Sequence, residues 1–225
     1  MIDLHTHTLL SDGELIPAEH IRRAQMKGYR YLGMSDHVDL ATVATVLATL
    51  LESARRENEL GRMRVLAGVE FTHVRPEHIA ECVRTARTLG AHYVIVHGET
   101  IVEPVQEGTN RAAIEAGADI LAHPGLISPA DARLAAKHGV RLEISGKASH
   151  SLCNGHVARV ARQAGAQLIF GSDSHGDSQM PTRAQAQRIC LGAGLTPAEV
   201  AALFEDAEAF AQSLFRKAVR KPRRR

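Results

Sequence analysis

Histidine and carboxylate side chains stand at the ends of short apolar segments throughout this chain. The segments end at ten such residues: His5, His7, Asp36, His37, Glu70, His97, His123, Glu143, Asp173 and His175. The carboxyl ends of parallel strands lie on one edge of a sheet or barrel, so these side chains are expected to converge. Imidazole and carboxylate together suit Zn²⁺, Mn²⁺ or Fe²⁺. The pattern therefore predicts a metalloenzyme with more than one metal ion.

Two pairs of these residues are separated by a single residue. They are His5 with His7, and Asp173 with His175. Alternate side chains of a strand point to the same face, so each pair can bind one ion. A lone histidine is more often a packing or surface residue. Its recurrence at strand after strand favours ligands, because a buried imidazole or carboxylate must be hydrogen-bonded, ionised or bound to metal. Asp12 lies one short loop after the first pair, and its alternative interpretation is an ordinary turn residue.

Helical segments alternate with these strands. We predict helices over residues 17–27, 43–60, 76–89, 110–116, 129–137, 156–164, 181–191 and 197–219. Most of them begin near a proline or end at a glycine. The seven predicted strands could form an open doubly wound sheet or a closed barrel. Because polar ligands follow strand after strand, we favour a TIM-like α/β barrel of seven β/α units, with the site at the carboxyl ends of the strands.

The composition is that of one globular domain. The chain has 225 residues, of which 44% are hydrophobic and 23% charged, and its net charge is +2. We place the domain at 1–216 and a basic tail at 217–225, which we interpret as a frayed, solvated end, with nucleic-acid binding as the alternative. The small net charge argues against nucleic acid or a membrane as a partner. Three distant cysteines, no leader segment and no apolar stretch of about 20 residues predict a reduced, cytoplasmic protein.

Six motifs, in this order, resemble the PHP (polymerase and histidinol phosphatase) superfamily of metal-dependent phosphoesterases. They are DLHTHTLLSDG at 3–13, SDH at 35–37, GVE at 68–70, VHGE at 96–99, AHPG at 122–125 and SDSH at 172–175. The flanking segments 96–110 and 142–161 are similar to stand-alone, histidinol-phosphatase-like members rather than to the PHP segment of a replicative DNA polymerase. The resemblance implies a distorted (β/α)7 barrel with two to three divalent ions, Zn, Mn or Fe.

The resemblance also implies which residues hold each ion. The ligands would be His5, His7, Glu70 and Asp173 for a first ion, Glu70, His97 and His123 for a second, and Asp12, His37 and His175 for a third. All nine family positions are filled, which argues against a non-catalytic copy. Glu70 and Asp173 are therefore expected to be essential for catalysis. Glu99 and Glu143 are expected to hydrogen-bond to ligand histidines instead of binding metal.

Loop residues near the same barrel end are candidates for contacts to a substrate. Lys147 could bind phosphate as a point charge, Arg183 could do so at a helix start, and Asn110 is a further orienting candidate. His150 is a candidate general acid or phosphate contact. Each of these has an ordinary solvated side chain as its alternative interpretation. The other histidines are interpreted as surface or packing residues: His20, His73, His78, His92, His138 and His156.

The expected function is hydrolysis of a phosphate ester, with a small phosphomonoester as the substrate. Metal ions lower the pKa of bound water to about 7, which gives a hydroxide nucleophile at neutral pH. One alternative is a phosphodiesterase or nuclease acting on nucleotides, although aromatic residues for base stacking make up only 4% of the chain. Another is an amidohydrolase, which typically has a lysine at a strand end where this chain has Glu70. Neither the individual substrate nor the oligomeric state can be identified from the sequence.

Overall fold

The computed structural model describes residues 1–220 as one parallel sheet surrounded by helices. The strands are β1 (Ile2–Asp3), β2 (Tyr31–Met34), β3 (His37–Val38), β4 (Arg64–Phe71), β5 (Tyr93–His97), β6 (Ile120–Ala122), β7 (Arg141–Ser145) and β8 (Leu168–Gly171). The helices are α1 (Pro17–Met26), α2 (Val43–Leu60), α3 (Pro76–Leu89), α4 (Thr109–Glu115), α5 (Pro129–His138), α6 (Asn154–Ala164), α7 (Arg183–Gly192) and α8 (Pro197–Arg220).

Seven strands follow one another around the sheet in the order β1, β2, β4, β5, β6, β7, β8, and β3 pairs with β4. β2 and β3 are two parts of one predicted strand, which is interrupted at Ser35 and Asp36. The two edges approach each other beyond β1 and β8, where Thr6 forms a bridge to Ser174 and the His7 backbone N–H donates to the Ser174 carbonyl at 2.9 Å. The predicted seven-stranded, TIM-like α/β barrel is therefore confirmed.

The helices lie close to the predicted ranges because proline, glycine and capping residues set their ends. α2 and α3 have the predicted bounds, whereas α7 begins at Arg183, two residues late. The cause is Thr182, which forms a capping box with Gln185. α8 continues to Arg220, so the first four residues of the predicted tail are helical, and 221–225 lie outside the described residues. Within residues 1–220, no helix combines the length and apolar character needed to cross a membrane.

Apolar side chains fill the barrel interior. Tyr93 lies at its centre and donates its hydroxyl to the Leu4 carbonyl at 2.7 Å. Gly33 and Gly68 make room for this ring, since a Cβ on either would lie 2.3 or 2.4 Å from the phenol. α8 adds three residues to the same interior cluster: Ala207, Ala211 and Leu214. The interior is thus occupied by apolar packing, and the polar ligand candidates gather at the carboxyl ends of the strands.

Candidate metal centre

Four predicted ligands from three strands meet at the carboxyl end of the barrel. His5 and His7 follow β1, Glu70 lies near the end of β4, and Asp173 follows β8. The Nε2 atoms of His5 and His7 lie 3.2 and 3.5 Å from Oε2 of Glu70. Nε2 of His7 also lies 3.1 Å from Oδ1 of Asp173. All four side chains are buried, and they are the set that the family resemblance assigns to a first ion.

The segment between the two histidines is fixed by His20 of α1. His20 is buried, and its Nε2 lies 2.8 Å from the hydroxyl of Thr6, which donates to the Gly33 carbonyl at 2.7 Å. The hydroxyl proton is therefore used, so Thr6 accepts a hydrogen bond from Nε2–H of His20. Burial lowers the pKa of His20 to about 4, which makes the ring neutral at neutral pH. His20 is thus a packing residue, as predicted, that also supports the ligand strand.

His97, the last residue of β5, and His123, which directly follows the neighbouring strand β6, form a second group. Their ring centroids are 4.3 Å apart, and Nε2 of His123 lies 3.6 Å from Oε1 of Glu70. Nδ1 of His97 lies 3.1 Å from the next backbone carbonyl, and in the tautomer that places the proton on Nδ1 the Nε2 atom could bind a metal. Glu70 therefore faces His5 and His7 with one oxygen and His123 with the other, as a carboxylate bridging two cations must.

A third group contains His7, Asp12, His37 and His175, whose ligand atoms lie within 4.8 Å of one another. The Asp12 carboxylate is 3.1 Å from Nε2 of His175 and 3.6 Å from Nε2 of His37. Nδ1 of His37 is also 3.0 Å from Oε2 of Glu70. The three groups share residues, so the nine predicted ligands form one continuous cluster.

Two predicted ligands have backbone conformations that L residues rarely adopt. The φ angle is 26° at His123 and 53° at Asp173, each just beyond the end of a strand. The N–H of His123 donates to Oε2 of Glu143 at 3.0 Å, and the N–H of Asp173 donates to the His5 carbonyl at 2.9 Å. Such conformations cost of order 1–3 kcal/mol each and concentrate at functional sites. The barrel thus maintains strain at this cluster.

The carboxylates of the cluster are ionised at neutral pH. Burial would raise the pKa of Glu70, but His5 and His37 outweigh it and hold the pKa well below its usual range. The pKa of Asp173 is lowered in the same way, because His5 and His7 outweigh the effect of burial. Two negative charges are therefore kept in a buried site where they could neutralise cations.

The buried imidazoles of His7 and His123 are neutral, and several atoms in the cluster lack hydrogen bonds. Burial lowers the pKa of His7 to about 4 and the pKa of His123 well below its usual value. Both ring nitrogens of His7, Nδ1 of His123 and Oε1 of Glu70 are buried without a hydrogen-bond partner. Nε2 of His7 lies 3.1 Å from Oδ1 of Asp173 but does not form a hydrogen bond with it. Such groups cost about 1–3 kcal/mol each. Neutral imidazoles beside ionised carboxylates form a donor set that fits divalent transition metals.

Glu143 on β7 forms hydrogen bonds with two of the predicted ligands, His5 and His123. Its Oε1 lies 2.6 Å from Nδ1 of His5, and its Oε2 accepts the backbone N–H of His123 at 3.0 Å. Burial would lower the pKa of His5, but the charges of Glu143 and Glu70 outweigh it and raise the pKa well above its usual value. The predicted hydrogen bond between Glu143 and a ligand histidine is observed, with His5 donating, and it directs Nε2 of His5 toward Glu70.

Glu99 and Asn110 do not have the positions that the sequence led us to expect. Oε1 of Glu99 accepts the backbone N–H of Asn110 at 2.8 Å. The Asn110 side chain accepts the Glu99 N–H and donates to the Pro124 carbonyl, both at 3.0 Å. Asn110 is buried, and both ends of its amide join the connections after β5 and β6. It therefore supports these loops instead of pointing toward a substrate.

Arg183 lies away from the cluster, contrary to the expectation that it contacts phosphate. Its guanidinium carbon is 3.7 Å from the centroid of the Phe204 ring in α8. The pKa of the Met1 amino group is lowered by burial and, to a smaller extent, by the charge of Arg183. Met1 precedes β1 at the amino end of the barrel, so Arg183 lies near that end. The preceding segment returns toward that end, where the Tyr29 hydroxyl donates to the Pro181 carbonyl at 2.9 Å. This return places the start of α7 near the residues that precede β1 and β2.

Lys147 and His150 do reach the cluster, in a cavity of about 410 Å³ over its mouth. Nζ of Lys147 lies 3.4 Å from Oδ2 of Asp173 and from both ring nitrogens of His175. The ring of His150 stacks on His123 with centroids 4.1 Å apart, and its Nε2 lies 3.7 Å from Asp173. Lys147 also borders an adjoining groove of about 840 Å³, which extends along the β8–α7 connection.

Two residues beside the cluster were not among the predicted site residues. Glu103 lies in the connection between β5 and α4, and its carboxylate is 3.1 Å from Nε2 of His97 and 3.3 Å from Nε2 of His150. The hydrogen bond from His97, against burial, lowers the pKa of Glu103 to about 2. His73, interpreted as a surface or packing residue, also approaches Glu103, at 3.2 Å. No periodicity marks Glu103, whereas the position of His73 just after ligand-bearing β4 was a usable signal.

The PHP domain family model matches residues 3–174. An uncharacterized protein of Methanocaldococcus jannaschii is 39% identical over 200 residues, spanning 88% of this chain and 92% of that protein. A "probable phosphatase" of Edwardsiella ictaluri is 29% identical over 193 residues, spanning 77% of this chain and 78% of its own.

Two solved structures share the fold at low sequence identity. A candidate histidinol phosphatase from Listeria monocytogenes superposes with a TM-score of 0.59 at 10% identity, covering 81% of this chain and 98% of its own. A chain in a structure of archaeal ribonuclease P with mature tRNA superposes with a TM-score of 0.72 at 17% identity, covering 95% and 91%. At these identities the structures establish the barrel fold alone.

Proposed function

Because the chain belongs to the PHP domain family, we propose that it hydrolyses a small phosphate monoester at a centre of two to three divalent ions. The observation that carries this proposal is the arrangement of Glu70, whose two oxygens face different sets of histidines. The names of probable phosphatases among its relatives support a hydrolase of this type. The ordered filling of all nine ligand positions supports an active enzyme over a degenerate copy.

The nine residues would divide among Zn²⁺, Mn²⁺ or Fe²⁺ ions as the family resemblance implies. The chemistry that such ions supply when bound is activation of water for attack and neutralisation of phosphoryl charge. Glu70 and Asp173 contribute the buried negative charge that makes cation binding favourable. Glu143 and His20 keep the ligand segments in place. The ions' positions are thus set by side chains from separate strands of the barrel.

Lys147 and His150 would bind the ester. The ammonium group of Lys147 lies beside Asp173 at the cavity wall, where it can attract a phosphate oxygen. Burial lowers the pKa of His150, so its ring is neutral near pH 7 and acts as a hydrogen-bond donor. Thr100 lies 2.8 Å from Nδ1 of His150 and can fix the tautomer that presents Nε2–H to the ester. In that tautomer His150 would contact the phosphate or the leaving oxygen.

The space around the cluster suits a small substrate. The cavity of about 410 Å³ can accept a phosphoryl group, and the adjoining groove of about 840 Å³ can accept the organic part of the ester. Lys147 borders both spaces, so it lies where the phosphate and leaving group would meet. This arrangement favours a monoester whose organic part extends along the groove.

A substrate screen tests the proposal. The purified protein, loaded separately with Mn²⁺, Fe²⁺ or Zn²⁺, would be assayed against panels of phosphomonoesters and phosphodiesters, with Glu70→Gln as the matched inactive control. We expect turnover of monoesters that depends on the added metal and on Glu70. Preferential cleavage of diesters or oligonucleotides would instead establish the nuclease alternative, and inactivity with every ester and metal would contradict the proposal.

A further inference from the structure

The connection between β5 and α4 brings one carboxylate to the rim of the metal centre. Oε2 of Glu103 lies 3.1 Å from Nε2 of His97 and 3.2 Å from Nε2 of His73. His97 is buried, whereas Glu103 is half-buried and His73 is exposed. The three side chains therefore join the cluster to the mouth of the cavity.

The distances match those between neighbouring ligands of one ion. With metal–ligand bonds of about 2.0–2.2 Å, neighbouring ligand atoms lie about 3.0–3.5 Å apart. The ligand atoms of His73, His97 and Glu103 all lie within 4.8 Å of one another. Two imidazoles and one carboxylate are a recurrent protein ligand set for zinc, with a further coordination position left open. The group could thus complete the coordination of an ion that the barrel strands hold from below.

The backbone of His73 gives an independent indication. Among residues 1–220, three non-glycine residues have positive φ: His73 at 54°, His123 at 26° and Asp173 at 53°. The other two are predicted metal ligands. A left-handed conformation at a non-glycine residue costs of order 1–3 kcal/mol and persists only where its surroundings hold it. His73 therefore shares with two predicted ligands a backbone conformation that is uncommon outside glycine.

Glu103 also approaches His150, which belongs to the proposed substrate site. Its other oxygen, Oε1, lies 3.3 Å from Nε2 of His150. Partly exposed ion pairs are worth only about 0–1 kcal/mol each, so charge pairing alone gives little reason to collect three imidazoles around one carboxylate. If Glu103 binds the same ion as His97, the ion itself holds the carboxylate among the three imidazoles.

We propose that Glu103 and His73 are ligands of the ion held by His97. One ion of the centre would then be bound jointly by the barrel, through His97, and by side chains at the rim. The inference rests on the proposed metal centre, but it concerns two residues outside the nine predicted ligands. Metal binding would fasten residues 98–108 over the cavity and so fix the wall that faces His150.

Metal binding to matched variants tests this inference. We would titrate Zn²⁺ and Co²⁺ into metal-depleted wild type, Glu103→Gln, His73→Asn and the double variant by chelator competition, and record the visible absorption of the Co²⁺ forms. Glu107→Gln is the control, since Glu107 is exposed and lies in the same connection. We expect each single variant to weaken one ion by about tenfold or more. The double variant should weaken that same ion, while Glu107→Gln should match wild type.

A second readout follows the connection itself. Metal loading should slow hydrogen exchange across residues 98–108 in wild type and in Glu107→Gln, and less so in Glu103→Gln. Wild-type affinity and an unchanged Co²⁺ spectrum in both single variants would overturn the inference and leave the nine-ligand centre intact. Tighter binding by Glu103→Gln would also overturn it, because Glu103 would then compete with metal for His97. A wild-type chain that binds no metal would instead overturn the proposed function as well.

Discussion

Glu143 and His5 are joined by a hydrogen bond of 2.6 Å that connects β7 to the residues following β1. The second oxygen of Glu143 accepts the backbone N–H of His123 at 3.0 Å. One buried carboxylate thus orients ligands that belong to two other strands. This relationship makes the cluster depend on residues that do not themselves bind metal.

Replacing Glu143 by Gln should weaken metal binding. The amide oxygen can still accept the hydrogen bond from His5, but the buried charge that supports the imidazole is lost. We expect metal affinity to fall about 10- to 100-fold, as is usual for such outer partners. Chelator competition would measure it, with Glu115→Gln at an exposed position of α4 as the control. Unchanged affinity would show that Glu143 does not tune the site.

Gly171→Ala should damage the site without altering any ligand. A Cβ at this position would lie 1.9 Å from Oε1 of Glu143 and 2.9 Å from Cβ of His5. The added methyl must displace Glu143, so we expect a loss of about 1–3 kcal/mol in the free energy of unfolding together with weaker metal binding. Urea denaturation and metal titration measure the two effects. Gly192→Ala, where a Cβ meets nothing within 4 Å, should leave metal binding unchanged and should not lower the free energy of unfolding.

The positions of the candidate ligands, at one end of the barrel, could be predicted from sequence because they are local features. His97 is the last residue of β5, and Glu70 lies one residue before the end of β4, so an apolar segment followed by a polar residue marks each of them. Parallel topology then brings such ends together whatever their distance along the chain. The same logic applied to each β/α unit correctly gave the seven-stranded barrel.

The positions of Arg183, Glu103 and Asn110 could not be predicted, because long-range contacts or irregular connections determine them. Arg183 was misplaced since the segment before it is held at the amino end by Tyr29, 152 residues away along the chain from Pro181. Glu103 lies in a connection without regular structure, where no pattern indicates the direction of a side chain. The side-chain amide of Asn110 joins two loops that come together only in the folded chain, so its role could not be recognised from the sequence.

The pKa of His20 predicts a defined loss of stability in acid. Its pKa is about 4 in the folded chain, against an ordinary value of 6.5. The unfolded chain therefore binds more protons between these values, and stability falls as the pH drops from about 6.5 to 4, by about 3 kcal/mol from His20 alone. Urea denaturation of the chelator-treated protein across this range should show a shallower dependence in His20→Gln. Exposed His138→Gln is the control, and equal slopes in all three proteins would contradict the prediction.

Lys147→Ala should impair substrate binding more than turnover. Nζ of Lys147 faces the cavity beside Asp173, so its loss removes an attraction present in both the bound ester and the transition state. We expect KM for a phosphomonoester to rise about tenfold with a smaller change in kcat. Lys147→Arg should restore part of the loss because it keeps the charge, and Lys137→Ala at an exposed position of α5 should have no effect. An unchanged KM would remove Lys147 from the substrate site and leave the metal chemistry unaffected.

The central claim is that Glu70 bridges two ions, and the most direct test combines metal content with hydrolysis in Glu70→Gln. Gln preserves the volume of the side chain and removes the charge that would hold two cations together. Metal-loaded wild type, after removal of excess metal, should contain two to three equivalents and hydrolyse p-nitrophenyl phosphate or a better ester. The variant should lose at least one equivalent, and its turnover should fall by about a thousandfold or more, as expected for the loss of several kcal/mol of electrostatic stabilisation. A Glu70→Gln protein with full metal content and near-normal turnover would contradict the account.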